Sequence, residues 1–202
     1  MNIPEPLDIR STQIVVVAHC LLNQNAKVAG LAAFPGAVEP LVALLMRHGV
    51  GVVQMPCPEL VHLGPARPLG TDTVDQYDTP AYRGVCTRIA DAVASEASAY
   101  ASAGYSMLAV LGVEGSPSCG VSQVPVLEHG ARVLRPGHGL FVQALATAFK
   151  GAGVPLPFIG VPEGPEAGDL EVVLGTIGET LGAKRARGHP ARPPLTPGRH
   201  TA

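Results

Sequence analysis

Three cysteines carry the chemistry that this sequence could do. Cys20, Cys57 and Cys119 stand among Pro, Gly or polar residues, in AHCLLN, MPCPEL and GSPSCG. Thiolates are soft ligands that select zinc, Cu(I) or iron–sulfur clusters. The cysteine spacings contain no paired CxxC and so no local zinc-finger pattern. Any metal site must therefore be assembled by the fold from distant segments. The fourth cysteine, Cys86, lies within the helical pattern YRGVCTRIA and reads as a small apolar core residue.

The elements that must position these thiols follow from the apolar runs. Residues 13–18 (QIVVVA), 50–55 (VGVVQM) and 107–113 (MLAVLGV) read as buried strands, and 155–160 as a shorter one. Between them, residues 36–48 read as a helix stopped by Gly49. A long Ala-rich helix starts at Thr79-Pro80 and runs to about Ala103, with Thr79 as its cap. Residues 138–151 and 168–181 complete the helices, 60–78 read as a long loop, and 121–136 leave room for a β-hairpin. Apolar strands alternating with helices predict a single α/β domain over residues 1–183. Its mainly parallel sheet should be flanked by helices in a three-layer, Rossmann- or flavodoxin-like arrangement. Cys20 and Cys57 each follow a strand by two residues, and Cys119 lies in the loop beyond the third strand. In a parallel sheet all three positions fall at the C-terminal edge, where open α/β sheets place their ligands. The three cysteines are therefore expected to converge.

Three convergent thiolates would leave one iron of a [4Fe–4S] cube without a protein ligand, free to act as a Lewis acid toward a soft sulfur atom. The GSPSCG loop suits such a group, because its glycines permit a tight turn whose N–H groups could face a sulfide. Three other readings use the same residues. Cys20, Cys57 and Cys119, with His19, could hold structural zinc. The site could be a cluster that senses or carries sulfur. Alternatively, Cys119 could be a nucleophile activated by a histidine. Around the ligands, His19, Asn23, Gln24 and Asn25 could meet a substrate's polar edge, as could Ser118. Asn23 and its neighbours are equally ordinary turn formers. Glu114, beside the loop, reads as a solvated carboxylate.

The segments HCLLNQN at 19–25, PCPEL at 56–60 and GSPSCG at 115–120 resemble, in order and spacing, the three signature segments of the thiouracil desulfurase (TudS) family and its desulfidase relatives. The similarity covers about residues 13–150, and SPSCG together with CPE is its most specific part. The resemblance implies a [4Fe–4S] cluster on Cys20, Cys57 and Cys119 whose free iron takes sulfur from a small thiolated molecule. It further implies that Glu59 moves protons and that Ser116 lies near the substrate. The reaction would be desulfidation, C=S to C=O with release of sulfide. Two departures stand out. Where the family pattern often reads CLLGxxCRYDG, this chain has Ala26 for the second cysteine and Ala29 for the aspartate. Arg67-Pro68 echoes a further Pro- and Arg-containing segment. The expected substrate is therefore a small thiocarbonyl compound, of which thiouracil is only one candidate.

Composition narrows the partners. Of 14 basic residues, five lie in the acid-free stretch 184–202, leaving nine against 16 acids in the remainder. An acidic body argues against nucleic acid as a partner. The stretch 184–202, basic and rich in Pro and Gly, reads as a disordered tail. No apolar run reaches the roughly 18–20 residues needed to span a bilayer. Residues 1–10 lack the basic and apolar segments of a leader, so the expected location is the cytoplasm.

Overall fold

The computed structural model describes residues 8–185. Four parallel strands form the central sheet: β1 (Gln13–Ala18), β2 (Gly51–Met55), β3 (Ser106–Val113) and β6 (Phe158–Val161), in the order β2-β1-β3-β6. The registers are Val16 beside Val53, Val17 beside Leu111 and Val113 beside Val161. Every residue of β1 is buried, as its unbroken apolar run requires of a strand covered on both faces. The chain starts in the middle of the sheet, moves out to β2 and returns past β1 to β3. The direction of winding therefore reverses between β1 and β3, and a crevice opens there at the strand C-termini.

Helices cover both faces. On one, α2 (Glu39–His48) packs on α7 (Leu170–Arg185). On the other, α5 (Pro80–Ser102) packs on α6 (Leu140–Gly151). The fold is thus the expected single α/β domain with three layers. Helix α5 starts as its sequence demands: Thr79 Oγ1 accepts the Tyr82 N–H at 3.2 Å, and Pro80 occupies the first turn. Helix α7 runs two residues into the stretch read as a tail, and residues 186–202 lie outside the described part. No described helix is long and apolar enough to cross a membrane.

The region 121–136 is the hairpin for which the sequence left room. Strands β4 (Gln123–Glu128) and β5 (Ala131–Pro136) pair antiparallel, apart from the main sheet. His129 (φ 51°) and Gly130 (φ 80°) form the connection, the doubly left-handed two-residue turn that matches strand twist. The stretch 60–78 is not one loop. It holds two short helices, part of α3 (Pro58–Leu63) and α4 (Val74–Tyr77). Both are too short for a helical period to register. A single turn, α1 (His19–Leu22), and a 3₁₀ turn (Gln24–Ala26) follow β1, also below the length at which a pattern is legible.

Candidate functional site

Each of the three strand-end cysteines is held by a different local device. Cys20 sits in α1, directly after β1. Cys57 caps α3: its sulfur accepts the Leu60 N–H at 3.5 Å, with Pro58 at the first helical position. Cys119 lies in the loop after β3, which hydrogen-bonds itself into one shape. Ser116 Oγ accepts the N–H groups of Ser118 (3.2 Å) and Cys119 (3.1 Å), and the Ser116 carbonyl accepts that of Gly120 (3.0 Å). The N-terminus of α6 closes over this loop, with Phe141 N donating to the Ser118 carbonyl at 3.0 Å. Gly139 makes that approach possible, since a Cβ there would meet the Ser118 oxygen at 2.3 Å. The N–H groups of Ser118, Cys119 and Gly120 are therefore taken within the loop, which corrects the expectation for these three that they face a sulfide.

All three cysteines line one cavity of about 340 Å³, together with Glu59, Arg67, Ser116 and Glu163. Its size is at the small end for ligand pockets. A larger open groove of about 790 Å³ between α5 and α6 contains Cys86 but none of the strand-end cysteines. Cys86 itself is buried, in keeping with the core role read from its helical surroundings.

Glu59 is the centre of a buried polar network. Its Oε1 accepts from Ser118 Oγ at 2.6 Å, and its Oε2 accepts from Arg67 Nη2 at 3.3 Å. Arg67 Nη2 also donates to the Ala26 carbonyl at 2.8 Å, and Nη1 to the Gly64 carbonyl at 3.3 Å. Ser118 is bonded in turn to the Tyr82 hydroxyl at 2.5 Å. Each Glu59 oxygen keeps a further lone pair. Ser116 is complementary. Its oxygen already accepts two N–H groups, so the hydroxyl proton is what it has left to offer.

The electrostatics bear on what the thiols can do. Burial pushes the Cys119 thiol well above its ordinary value, and the nearby Cys20 and Cys57 add to this. Cys20 is raised by burial and then by Glu163, and Cys57 by burial and then by Glu59. As free thiols at neutral pH they are protonated and poor nucleophiles. No histidine is among the described residues lining the cavity, so the reading of Cys119 as a histidine-activated nucleophile finds no partner. Three thiols that burial keeps protonated are suited to a cationic centre, which would reverse the penalty and deprotonate them. Among the described residues, no three His, Cys, Asp or Glu side chains are arranged to hold a metal ion. The cysteines thus share a cavity without being gathered about one point. A cluster, whose irons occupy separate corners, asks for wider spacing than a single ion does.

The remaining expected residues are placed elsewhere. His19 does not line the cavity: its Nδ1 lies 2.5 Å from Gln54 Nε2, and its Nε2 is buried without a partner. Asn23 and Asn25 are exposed and occupied with each other, Asn23 Oδ1 accepting Asn25 N at 3.1 Å and Nδ2 at 3.0 Å. Ser118 is buried behind Glu59 and outside the cavity lining. Glu114 is not solvated. It is buried and accepts the N–H groups of Ser122 (3.0 Å) and Gln123 (2.7 Å).

Sequence reasoning missed the charged wall. Lys27 pairs with Glu163, and Arg132 with Asp72 at 3.3 Å. Gln24, buried, donates to the Cys20 carbonyl at 2.8 Å and to Glu163, and accepts from Ala33 N at 3.0 Å. The lining thus contains three cations, Lys27, Arg67 and Arg132, against five carboxylates. The amide-lined pocket expected from Asn23, Gln24 and Asn25 is corrected accordingly. Each cation is committed to a carboxylate, and the balance is still unfavourable to an anionic ligand.

No family model matches the chain, and no solved structure matches it. Over 113 residues, which are 56% of this chain and 70% of the relative, it is 33% identical to "Uncharacterized protein MJ0003" of Methanocaldococcus jannaschii. At that identity, over more than two thirds of the relative's length, the chain belongs to the same family as the M. jannaschii protein.

Proposed function

We propose that this chain is an iron–sulfur-dependent desulfidase: it holds a [4Fe–4S] cluster on Cys20, Cys57 and Cys119 and removes sulfur from a small thiocarbonyl compound. The observation that carries the reading is the shared cavity. Cysteines from three separate strand ends line it together with a fixed carboxylate, Glu59, and a serine with a free proton, Ser116. When bound, the cluster would supply a soft Lewis-acid iron that takes sulfur.

The chain's own residues supply the rest. Water attacks the thiocarbonyl carbon, and Glu59 accepts its proton through a free lone pair and later returns one to the departing sulfur. The balance is C=S and water to C=O and hydrogen sulfide, with no net electron transfer. Ser116 donates its remaining proton to a heteroatom of the substrate and so orients it. Arg67, in the cavity wall, and Ser118, behind it, hold Glu59 in place. The carboxylate-rich lining suits a neutral compound such as a thiolated base, thioamide or thiourea, with thiouracil one candidate. Cytoplasmic residence belongs to the same proposal, since four free cysteines need a reducing compartment.

Anaerobic incubation of cluster-replete protein with a panel of such compounds, with assay of free sulfide, tests the reaction. Release above a Cys119→Ser control is expected. An intact cluster without release would favour a sensor or sulfur carrier.

A further inference from the structure

We infer that Tyr82 is a positioning residue, whose hydroxyl acts through Ser118 to aim the Glu59 carboxylate into the cavity. The inference rests on the proposed role of Glu59 in that reaction. The direction of the hydrogen bonds follows from valence. A carboxylate only accepts, so the single proton of Ser118 is committed to Glu59 Oε1 at 2.6 Å. The 2.5 Å contact between Ser118 and Tyr82 must then be Tyr82 donating to Ser118 Oγ. The chain Tyr82 to Ser118 to Glu59 thus has one polarity, and its three members come from α5, the loop after β3, and α3. Arg67 holds the other carboxylate oxygen. Between them the two arms fix the rotation of the carboxylate about its last bond, a torsion that is otherwise broad.

Tyr82 is itself held firmly. It is 1% exposed. Its ring packs edge-on against His62 at 5.6 Å and tilted against Tyr77 at 5.3 Å, and its N–H is taken by Thr79 at the start of α5. Burial, and then the charge of Glu59, pushes its phenol far above the ordinary range. Tyr82 therefore donates a hydrogen bond without surrendering the proton. The chain runs from Glu59 away from the cavity to a phenol whose further neighbour is the buried Cys86 thiol, so it acts as a bracket on the carboxylate. Glu59 meets substrate and water on the side that lines the cavity.

The test uses Tyr82→Phe, which removes only the hydroxyl, along with Ser118→Ala and the double variant. In full-length protein labelled with ¹³C at glutamate, the Glu59 carboxyl resonance is identified by its absence in Glu59→Gln. Tyr82→Phe and Ser118→Ala should each move that resonance, and the double variant no further than Ser118→Ala alone, because the two act in series. In cluster-loaded protein, Tyr82→Phe should lower kcat for sulfide release by about 10–100-fold, the cost of a misaimed group. KM should stay within about twofold and iron content should be unchanged, since Tyr82 touches neither substrate nor ligands. A resonance that does not respond to Tyr82→Phe overturns the inference, as does a shifted resonance with kcat unchanged. If loaded wild-type protein releases no sulfide, the proposed reaction falls, while the resonance data still decide whether Tyr82 fixes Glu59.

Discussion

Replacing Glu59 with Gln keeps the shape of the side chain but leaves a buried cation without its anion. The Arg67 and Glu59 side chains are only 2% and 10% exposed, so water does little to screen the loss. Arg67 Nη2 donates to Glu59 Oε2, and Ser118 donates to Oε1. An amide at position 59 can satisfy one of these donors but turns its NH₂ toward the other. Breaking a buried pair by removing one partner costs about 3–5 kcal/mol. The surviving Arg67 bonds to the Ala26 and Gly64 carbonyls argue for the lower end, about 3 kcal/mol. In a chain of this length that lowers Tm by roughly 6–12 °C. Urea denaturation of the metal-free protein at pH 7 measures the loss, and a cycle with Arg67→Met isolates the pair. A coupling below about 0.5 kcal/mol would refute the reasoning, because a pair this well buried cannot be that weak. In loaded protein, the same Glu59→Gln variant should lose turnover by roughly 10²–10⁴-fold while keeping its iron.

Two further predictions concern the walls of the site. Burial, and then the charge of Glu59, raise the Asp72 carboxyl from 3.8 to about 6 against the pull of Arg132. The folded state thus disfavours the charged form, and stability from this group is greatest below the unfolded value and falls as pH rises from about 4 to about 6. The cost at pH 7 is about 3 kcal/mol. Asp72→Asn, which tolerates the left-handed backbone at φ 48°, should therefore raise Tm at pH 7 and leave it nearly unchanged at pH 4; equal effects at both would rule out this origin. Gly139→Ala should cost about 1–3 kcal/mol, since its Cβ meets the Ser118 carbonyl at 2.3 Å. Because Ser118 moves with it, turnover should fall as well, and a fully stable Gly139→Ala protein would show that α6 does not close on the loop as described.

The parts of the site that local sequence could reveal are those attached to strand ends. Apolar runs set β1, β2 and β3, and the cysteines two to six residues beyond them inherited their convergence from the parallel sheet. Glu59 was legible through the family resemblance of its PCPEL segment, two residues beyond Cys57. The charged wall was not, because its partners are remote: Lys27 and Gln24 meet Glu163 across 136 and 139 residues of sequence, and Asp72 meets Arg132 only because the hairpin folds back. Asn23 and Asn25 misled for a different reason. A three-residue 3₁₀ turn points Gln24 inward and its two neighbours out, and no periodicity resolves a turn that short. Ser118 was counted as a substrate contact from its place in the loop. Only the packing of α5 reveals that it serves Glu59 from behind.

The central claim is that Cys20, Cys57 and Cys119 together hold a cluster, and iron and acid-labile sulfide analysis of anaerobically prepared protein tests it most directly. About four irons and four sulfides per chain are expected for wild type and for Cys86→Ser, with most of both lost in Cys20→Ser, Cys57→Ser and Cys119→Ser. Wild-type protein that stays free of iron after anaerobic reconstitution, or a Cys86→Ser variant that loses as much as the other three, would contradict the account.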